Sequence, residues 1–437
     1  MSLASNLERL RRGTFLVFLG QGFVGVAGLL ISMILTRTTS PEDLGRFYTL
    51  QQGVVAMGIL ISRMGMDVGI QRLIGSSLVG GSLAPAFAYA RNALFMVLVA
   101  SLVVGGSMWL LWRPMVVGVF SDEALLPFWA QTALLVTLGA TVNVAGSVLL
   151  GLGQVSRGVL WLGVPRQLGL VTAVALLWWW GSPLPLVTVV NLVAASFVLS
   201  AFLAMAVLGS HFRGLDPTPW IDNRICREII VLCLPMMLQG GALVIMSSAD
   251  IWVLAALRTP AEVGVYGAVT KLSTAMAFAL TVVNTVLPAM VARLHAEGKI
   301  EEMETLLRHS ATWGTLMAVP MTVILTLSGP FCLRLVFGPD FVVGAGALAV
   351  LAVAQCINAM AGSPGYALQM TGGHKTLTVL TLITAVLNLL GNLLLVPEFG
   401  LMGAAVATGA ALVLQNLVMV VLVRRRLGVW TFTNLRV

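Results

Sequence analysis

Six ionisable side chains lie within long apolar stretches of the chain and are the residues best suited to carry chemistry. They are Arg63, Arg91, Arg166, Lys271, Asp67 and Asp250. An arginine guanidinium offers paired N–H donors that match the oxygens of a phosphate group. Four cations against two acids leave this set a net charge of +2, which favours an anionic ligand over a cationic one.

Arg63 and Asp67 are four residues apart and would share one face of a continuous helix. In one interpretation, Arg63 contacts a phosphate-bearing ligand and Asp67 orients its guanidinium. In the other, the helix ends near Ser62 and both side chains lie at a membrane interface. The sequence leaves both interpretations open.

Arg166 has no acid in its own apolar stretch, residues 158–180. We therefore expect it to face a cavity and bind an anion, although it could instead bond backbone carbonyls or extend towards the nearer membrane surface. Arg91 stands near the start of its stretch. We expect Arg91 mainly to anchor the helix end at the membrane surface. Alternatively, it joins the cations that would bind an anionic ligand.

Asp250 comes late in one apolar stretch and Lys271 early in the next, so they are expected to pair near one membrane surface. The pair could be purely structural. It could also form a gate or coupling site, in which protonation or ion binding at Asp250 releases Lys271. Pro235 and Pro288 fall inside the same two stretches and are predicted to kink them as hinges.

The composition shows that membrane helices must position these side chains. Of 437 residues, 58% are hydrophobic and only 10% are charged, far fewer charges than a soluble surface carries. Soluble enzymes and nucleic-acid binders are excluded. Since about 20 apolar residues cross a bilayer, we predict an all-α polytopic protein with twelve spans, near 14–36, 46–72, 86–112, 125–150, 158–180, 185–208, 228–256, 264–292, 311–328, 342–366, 376–396 and 400–423.

Charge placement predicts the orientation. Eighteen Lys and Arg residues fall on the side of the N-terminus and five on the other side, so both termini are expected in the cytoplasm. The longest polar connection divides the chain into a six-helix lobe (1–208), a cytoplasmic linker (209–227), a second six-helix lobe (228–423) and a basic cytoplasmic tail (424–437).

The two halves repeat. Ser40–Phe47 matches Thr259–Tyr266 at an offset of 219 residues, and Gln21-Gly22 matches Gln239-Gly240 at 218. An even number of helices per repeat predicts parallel repeats, which is typical of transporters. Asp250 aligns with Ser32, so the carboxylate is expected in one half only.

Four segments carry a resemblance to a known family: Pro41–Tyr48, Pro260–Tyr266, Leu335–Phe341 and Leu394–Ala405. The sequence resembles the polysaccharide transporter (Wzx-type) branch of the multidrug/oligosaccharidyl-lipid/polysaccharide (MOP) exporter superfamily. The resemblance implies a V-shaped, MATE-like pair of lobes. It also implies a flippase that exports a polyprenyl-diphosphate-linked oligosaccharide across the bacterial inner membrane by alternating access, for O-antigen, capsule or exopolysaccharide synthesis.

With such a cargo, the cations within the predicted spans are the expected headgroup contacts: Arg63, Arg166 and Lys271, with Arg91 as a further candidate and Asp67 and Asp250 as partners or coupling acids. The expected partners are the lipid-linked substrate, membrane lipids, the polysaccharide polymerase and glycosyltransferases, and no nucleic acid. The two further C-terminal helices typical of the peptidoglycan-precursor branch are not found, which argues against lipid II as cargo.

Other classes remain as alternatives. A cation-coupled small-molecule (multidrug) exporter of the same fold is the first, and a polytopic glycan polymerase is the second. A polymerase is expected to have a long outside loop, whereas the longest predicted outside connection here has about 14 residues. The sequence predicts no catalytic residue, metal ligand or cofactor. Gly372-Gly373-His374-Lys375-Thr376 resembles a phosphate loop but lacks the Gly that such a loop needs before Lys.

Overall fold

A computed structural model describes residues 3–78, 83–154, 163–181, 184–213, 221–276, 284 and 287–433. These residues are almost entirely helical, and no β-strand occurs among them. This follows from the composition, because a backbone in lipid must satisfy its own hydrogen bonds within each segment.

The first half of the described chain begins with one long helix and continues with shorter ones. In order they are α1 (Leu3–Thr38), α2 (Pro41–Tyr48), α3 (Ala56–Arg63), α4 (Met66–Ser77), α5 (Ala84–Arg113), α6 (Trp129–Gly151), α7 (Val164–Trp179) and α8 (Leu186–His211). A π-helical segment, Thr49–Val55, joins α2 to α3. A second π-helical segment and a 3-10 turn lie between α5 and α6.

The second half follows the same plan. Its helices are α9 (Asn223–Leu257), α10 (Pro260–Met276), α11 (Leu287–Ala296), α12 (Ile300–Leu327), α13 (Gly329–Val336), α14 (Ala345–Ala361), α15 (Pro364–Met370) and α16 (His374–Leu427). α16 has 54 residues and breaks at Gly400, whose φ of 54° is left-handed. At 1.5 Å per residue, its roughly 80 Å is enough for two membrane crossings.

The described residues contain eight helical segments long and apolar enough to cross a membrane, and the apolar part of α1 is a shorter one. The break at Gly400 divides one of the eight into the two predicted spans 376–396 and 400–423. The predicted spans 158–180 and 264–292 each include residues outside the described part. The protein is therefore a multi-pass, all-helical membrane protein, as the composition predicted.

The chain packs into two compact units. Unit 1 comprises Met1–Ile31 and Arg46–Val244, and unit 2 comprises Ser32–Gly45 and Ile245–Val437. α1 and α9 each contribute residues to both units. The division into lobes 1–208 and 228–423 stays a prediction.

Where α5 packs against α6 in the core of unit 1, several of the buried side chains are small. Ala86, Ala90 and Ala93 of α5 are at most 1% exposed, and Ala145 and Val148 of α6 are fully buried. Small residues allow helices in lipid to approach closely, so that van der Waals contacts stabilise the pair.

The repeated turns pack against each other in unit 2. Ser40 and Thr259 cap α2 and α10, accepting hydrogen bonds from the third residue of each helix at 3.1 and 3.4 Å. Each cap precedes a proline, a favoured first helical residue. The glycines Gly45 and Gly264 lie at the crossing of the two helices. A Cβ at Gly45 would stand 1.7 Å from the Pro260 carbonyl oxygen, and one at Gly264 would stand 2.1 Å from the Pro41 carbonyl oxygen.

Candidate functional site

The second span is interrupted between its two charged residues. α3 ends at Arg63, and Met64 and Gly65 then adopt left-handed φ angles of 46° and 76° before α4 begins at Met66. Gly65 also lies directly against α9, where a Cβ would be 2.2 Å from the carbonyl oxygen of Cys233. Only glycine meets both requirements without strain.

Arg63 and Asp67 lie on either side of this break and form an ion pair of 3.1 Å. The predicted span 46–72 is therefore not one continuous helix, because α3 ends at Arg63, next to Ser62, and α4 begins only at Met66. Arg63 Nε is buried and has no hydrogen-bond partner among the described residues. The guanidinium therefore has a donor available for a further acceptor.

Arg166 lies on α7 with its guanidinium 4.6 Å from the centre of the Phe197 ring on α8. The aromatic face stabilises the cation without using its N–H groups. No carboxylate pairs with Arg166 in the part of the chain that the structure describes. The arrangement leaves the edge of the guanidinium for an anionic ligand.

Tyr89 and Asn92, the neighbours of Arg91 on α5, contact the start of α9 and the residue before it. Arg91 lies 5.5 Å from the centre of the Phe87 ring. Tyr89 donates a hydrogen bond of 2.7 Å to Glu228, and Asn92 accepts one of 3.0 Å from the N–H of Asp222. The Arg91–Phe87 contact lies within α5, whereas the contacts of Tyr89 and Asn92 join α5 to residues 222 and 228, and both interpretations of Arg91 stay predictions.

Asp250 is the buried carboxylate of unit 2, with 4% of the residue exposed. Tyr266 of α10 donates a hydrogen bond of 2.8 Å to it, and the N–H of Ile251 donates another of 2.8 Å. Thr408 of α16 lies within 3.4 Å of the same carboxylate and accepts from Asn388 at 3.3 Å. Three helices thus converge on this carboxylate.

The predicted ion pair between Asp250 and Lys271 is not formed. Lys271 is exposed and makes no ion pair within the described ranges. Tyr266 and Lys271 are five residues apart on α10, so they project from different faces of the helix. The face of α10 that carries Tyr266 is buried. The Asp250 carboxylate therefore accepts a hydrogen bond from the Tyr266 hydroxyl and does not pair with the Lys271 amine.

The two predicted hinge prolines occupy different positions. Pro235 lies inside α9, where its missing N–H removes one helical hydrogen bond. Pro288 is the second residue of α11, a position that needs no N–H donor. The residues just before α11 lie outside the described part, and the hinge role of both prolines stays a prediction.

Sequence reasoning missed Tyr266 and Thr408 as partners of Asp250, and Asn388 as the donor to Thr408. One signal was present, since Tyr266 ends the repeated turn Thr259–Tyr266 and aligns with Phe47. The Tyr266 hydroxyl and the Asp250 carboxylate both occur in the second repeat and have no counterpart in the first. Their shared occurrence indicates a polar contact that is specific to the second half.

Comparison with known proteins adds the family. The model of the family described as "Polysaccharide biosynthesis protein" matches residues 10–295, and that of "Lipid II flippase MurJ" matches residues 168–437. A probable low-salt glycan biosynthesis flippase of Haloferax volcanii is 28% identical over 163 residues, which are 36% of this chain. The match spans 34% of the length of that relative.

Two solved structures share the fold over nearly the whole chain. The inward closed conformation of the lipid II flippase MurJ has a TM-score of 0.74 at 10% identity, covering 94% of this chain and 87% of the other. The inward-facing conformation of a multidrug resistance MATE family transporter has a TM-score of 0.71 at 16% identity, covering 93% and 94%.

The family matches and the shared fold together define the class of protein: a membrane transporter of the MOP exporter superfamily, as the resemblance implied. More narrowly, the chain belongs to the family of polysaccharide biosynthesis proteins. Both family models cover more than half of the chain, and the regions that they match overlap. These families transport their substrates and are not enzymes.

Proposed function

We propose that this protein is a flippase that moves a polyprenyl-diphosphate-linked oligosaccharide across the bacterial inner membrane for surface or extracellular polysaccharide synthesis. The observation that carries the proposal is the match to the polysaccharide biosynthesis family over residues 10–295. Alternating access would take the headgroup from the cytoplasmic side and release it outside, while the lipid tail remains in the bilayer.

In this proposal, Arg63 and Arg166 of unit 1 bind the diphosphate. Arg63 supports the role because its Nε is buried without a hydrogen-bond partner and its Nη1 is oriented by Asp67. Arg166 supports it because its charge is stabilised by a ring and not by an acid. Charge-assisted hydrogen bonds from guanidinium to phosphate are among the strong ones. Lys271 and Arg91 join the cationic set.

Asp250 is the proposed coupling acid. Its carboxylate is buried with three hydrogen-bond donors and no cationic side chain among the described residues. A carboxylate in lipid without a cation is costly, so a proton or a bound cation would stabilise it. Gain and loss of that charge would then bias the packing of α9, α10 and α16.

The deciding experiment is deletion of the gene with a lipid-linked glycan readout. Cells without the protein are expected to accumulate the polyprenyl-diphosphate oligosaccharide on the cytoplasmic side and to lose surface polysaccharide. Wild type should restore both, whereas Arg166→Ala should not. The polymerase and the glycosyltransferases are the proposed partners, and they should co-purify with the complementing protein.

A second candidate function is a cation-coupled exporter of small molecules. The similarity in fold to the MATE transporter and the buried Asp250 favour it. Normal surface polysaccharide in the deletion strain, together with a changed sensitivity to cationic drugs, would establish this function and exclude the flippase.

A further inference from the structure

The end of the described chain, residues 428–433, packs back onto unit 2. α16 ends at Leu427, and Gly428 reverses the chain with a left-handed φ of 75°. The N–H of Thr433 donates a hydrogen bond of 3.0 Å to the carbonyl of Met360. Gly362 gives the segment room, since a Cβ there would lie 2.8 Å from the Thr431 carbonyl oxygen. The segment is therefore held in place by its backbone.

Side chains of this segment alternate between two faces. Val429, Thr431 and Thr433 are buried, whereas Trp430 is 42% exposed and Phe432 is half-buried. Extended backbone places alternate side chains on opposite faces. Trp430 and Phe432 therefore project together, away from the core of the unit.

The two aromatic side chains form one wall of an open crevice of about 580 Å³. The opposite wall is apolar and belongs to the last turns of α16, with Leu417, Val420 and Val421. Arg308 of α12 is the single charged residue that lines the crevice, apart from any undescribed residues. The volume is in the range of small-molecule sites.

Arg308 has unused hydrogen-bonding capacity. Its Nη1 is 3.5 Å from Glu304, while its Nε is buried and has no partner among the described residues. A buried donor without an acceptor is unfavourable, and a ligand oxygen would satisfy it. Arg424 lies over the ring of Trp430 at 5.1 Å. The crevice therefore has apolar walls, one cation in its lining and a second cation against its aromatic wall.

We propose that this crevice is a binding site for an anionic phospholipid, whose phosphate is held by Arg308 and one of whose acyl chains lies along the apolar walls. Free phosphate would make no use of the walls, and a lipid without net charge would gain less from the arginines. Tryptophan is also the side chain favoured at the headgroup level. None of the four cations proposed for cargo binding lines the crevice, so this site is independent of the proposed function.

Native mass spectrometry of the full chain in detergent tests the site, with phosphatidylglycerol and phosphatidylcholine as the probes. The wild type is expected to retain phosphatidylglycerol in preference to phosphatidylcholine. Arg308→Gln should lower the occupancy about fivefold, the effect of one cation near an anionic headgroup. Leu417→Trp places a larger side chain in the crevice and leaves every charged residue in place. It should lower the occupancy by a similar factor.

Arg293→Gln is the matched control, because this exposed arginine on α11 pairs with Glu297 and does not line the crevice. It removes the same charge and should leave occupancy unchanged. The unfolding temperatures of the three variants and the wild type, measured without lipid, should agree, so that a change in occupancy reports binding and not unfolding. Equal retention of the two lipids overturns the proposal, as does full occupancy in both the Arg308 and the Leu417 variants. Displacement of phosphatidylglycerol by equimolar polyprenyl phosphate also overturns it, since the crevice would then serve the cargo.

Discussion

Arg166 carries the sharpest prediction for a single residue. Arg166→Ala should lower transport at least about tenfold, because one hydrogen bond to a charged group contributes about 1.5–3 kcal/mol. Arg166→Lys keeps the charge but loses the paired donors, so it should retain part of the activity. The amount of lipid-linked oligosaccharide that reaches the outer face measures both effects.

The control for Arg166 is Arg113→Ala, which removes an exposed arginine from the end of α5 in the same unit. It should transport normally. Phe197→Leu removes the ring beneath the guanidinium and should cause a smaller loss than Arg166→Ala. If Arg166→Ala transports like the wild type at equal protein level, Arg166 has only a structural role.

Asp250 permits a test of coupling. Asp250→Asn keeps an acceptor for Tyr266 but cannot gain or lose a charge. The variant should remain folded, and its transport in proteoliposomes should no longer respond to a proton or sodium gradient. Asp340→Asn is the control, since Asp340 is exposed in the same unit. A gradient response that survives in Asp250→Asn contradicts the assignment.

At this scale, the sequence could identify which residues matter but not their partners. Arg63, Arg166 and Asp250 stood out because ionisable groups are rare in lipid. The partners depend on which face of each helix is buried, and this is decided by packing between helices distant in sequence. Asp250 illustrates the limit, because Lys271, the cation that the predicted spans place nearest to it within the membrane, projects from another face of α10.

The repeated turns provide a prediction at the scale of elements. Gly45→Ala should lower the free energy of unfolding by about 1–3 kcal/mol, the usual effect of overpacking, because the new Cβ would meet the Pro260 carbonyl oxygen. Gly264→Ala should do the same for the reciprocal reason. Thermal unfolding in detergent measures the change.

Gly106→Ala is the matched control for these glycines. Gly106 lies within α5 and has no atom within 4 Å of its would-be Cβ, so the substitution should be neutral or slightly stabilising. If Gly45→Ala and Gly106→Ala unfold at the same temperature, the close crossing of α2 and α10 does not stabilise the protein.

The turn between α11 and α12 should respond to acid. Hydrogen bonds from Arg293 and from Lys299 lower the pKa of Glu297. A lowered pKa in the folded state means that the contact stabilises the turn above the ordinary pKa of glutamate, about 4.3, and is lost as pH falls through the folded value. Hydrogen exchange at 297–300 should therefore accelerate only at a pH below the ordinary pKa of glutamate, after correction for the intrinsic rate, and Glu297→Gln should remove that change.

Most elements could be predicted from hydropathy, and the irregular ones could not. The break at Gly400 coincides with the start of the predicted span 400–423, and Pro397 and the glycines that follow it are typical of a helix end. The break at Met64–Gly65 was missed, since a methionine in a left-handed conformation leaves no pattern in the sequence. The π-helical segment Thr49–Val55 was also missed, because its residue types do not distinguish a π-helix from an α-helix.

At the scale of the whole molecule, the repeat connects sequence to architecture. Both repeated turns begin with a capping hydroxyl and a proline, and they cross at a pair of glycines inside unit 2. Because the two repeated turns contact each other, both must lie on the same side of the membrane. The contact thus supports the parallel relation of the repeats that the even helix count indicated.

Membrane topology gives the last prediction. In a chain whose four native cysteines are replaced, Ser40→Cys and Thr259→Cys occupy equivalent exposed caps. A membrane-impermeant thiol reagent should label both from outside, because the basic residues place the opposite ends inside. Ser210→Cys, exposed at the end of α8, should be labelled only after permeabilisation. Labelling of one cap without the other would contradict the parallel repeat, and labelling of Ser210→Cys in intact cells would reverse the orientation.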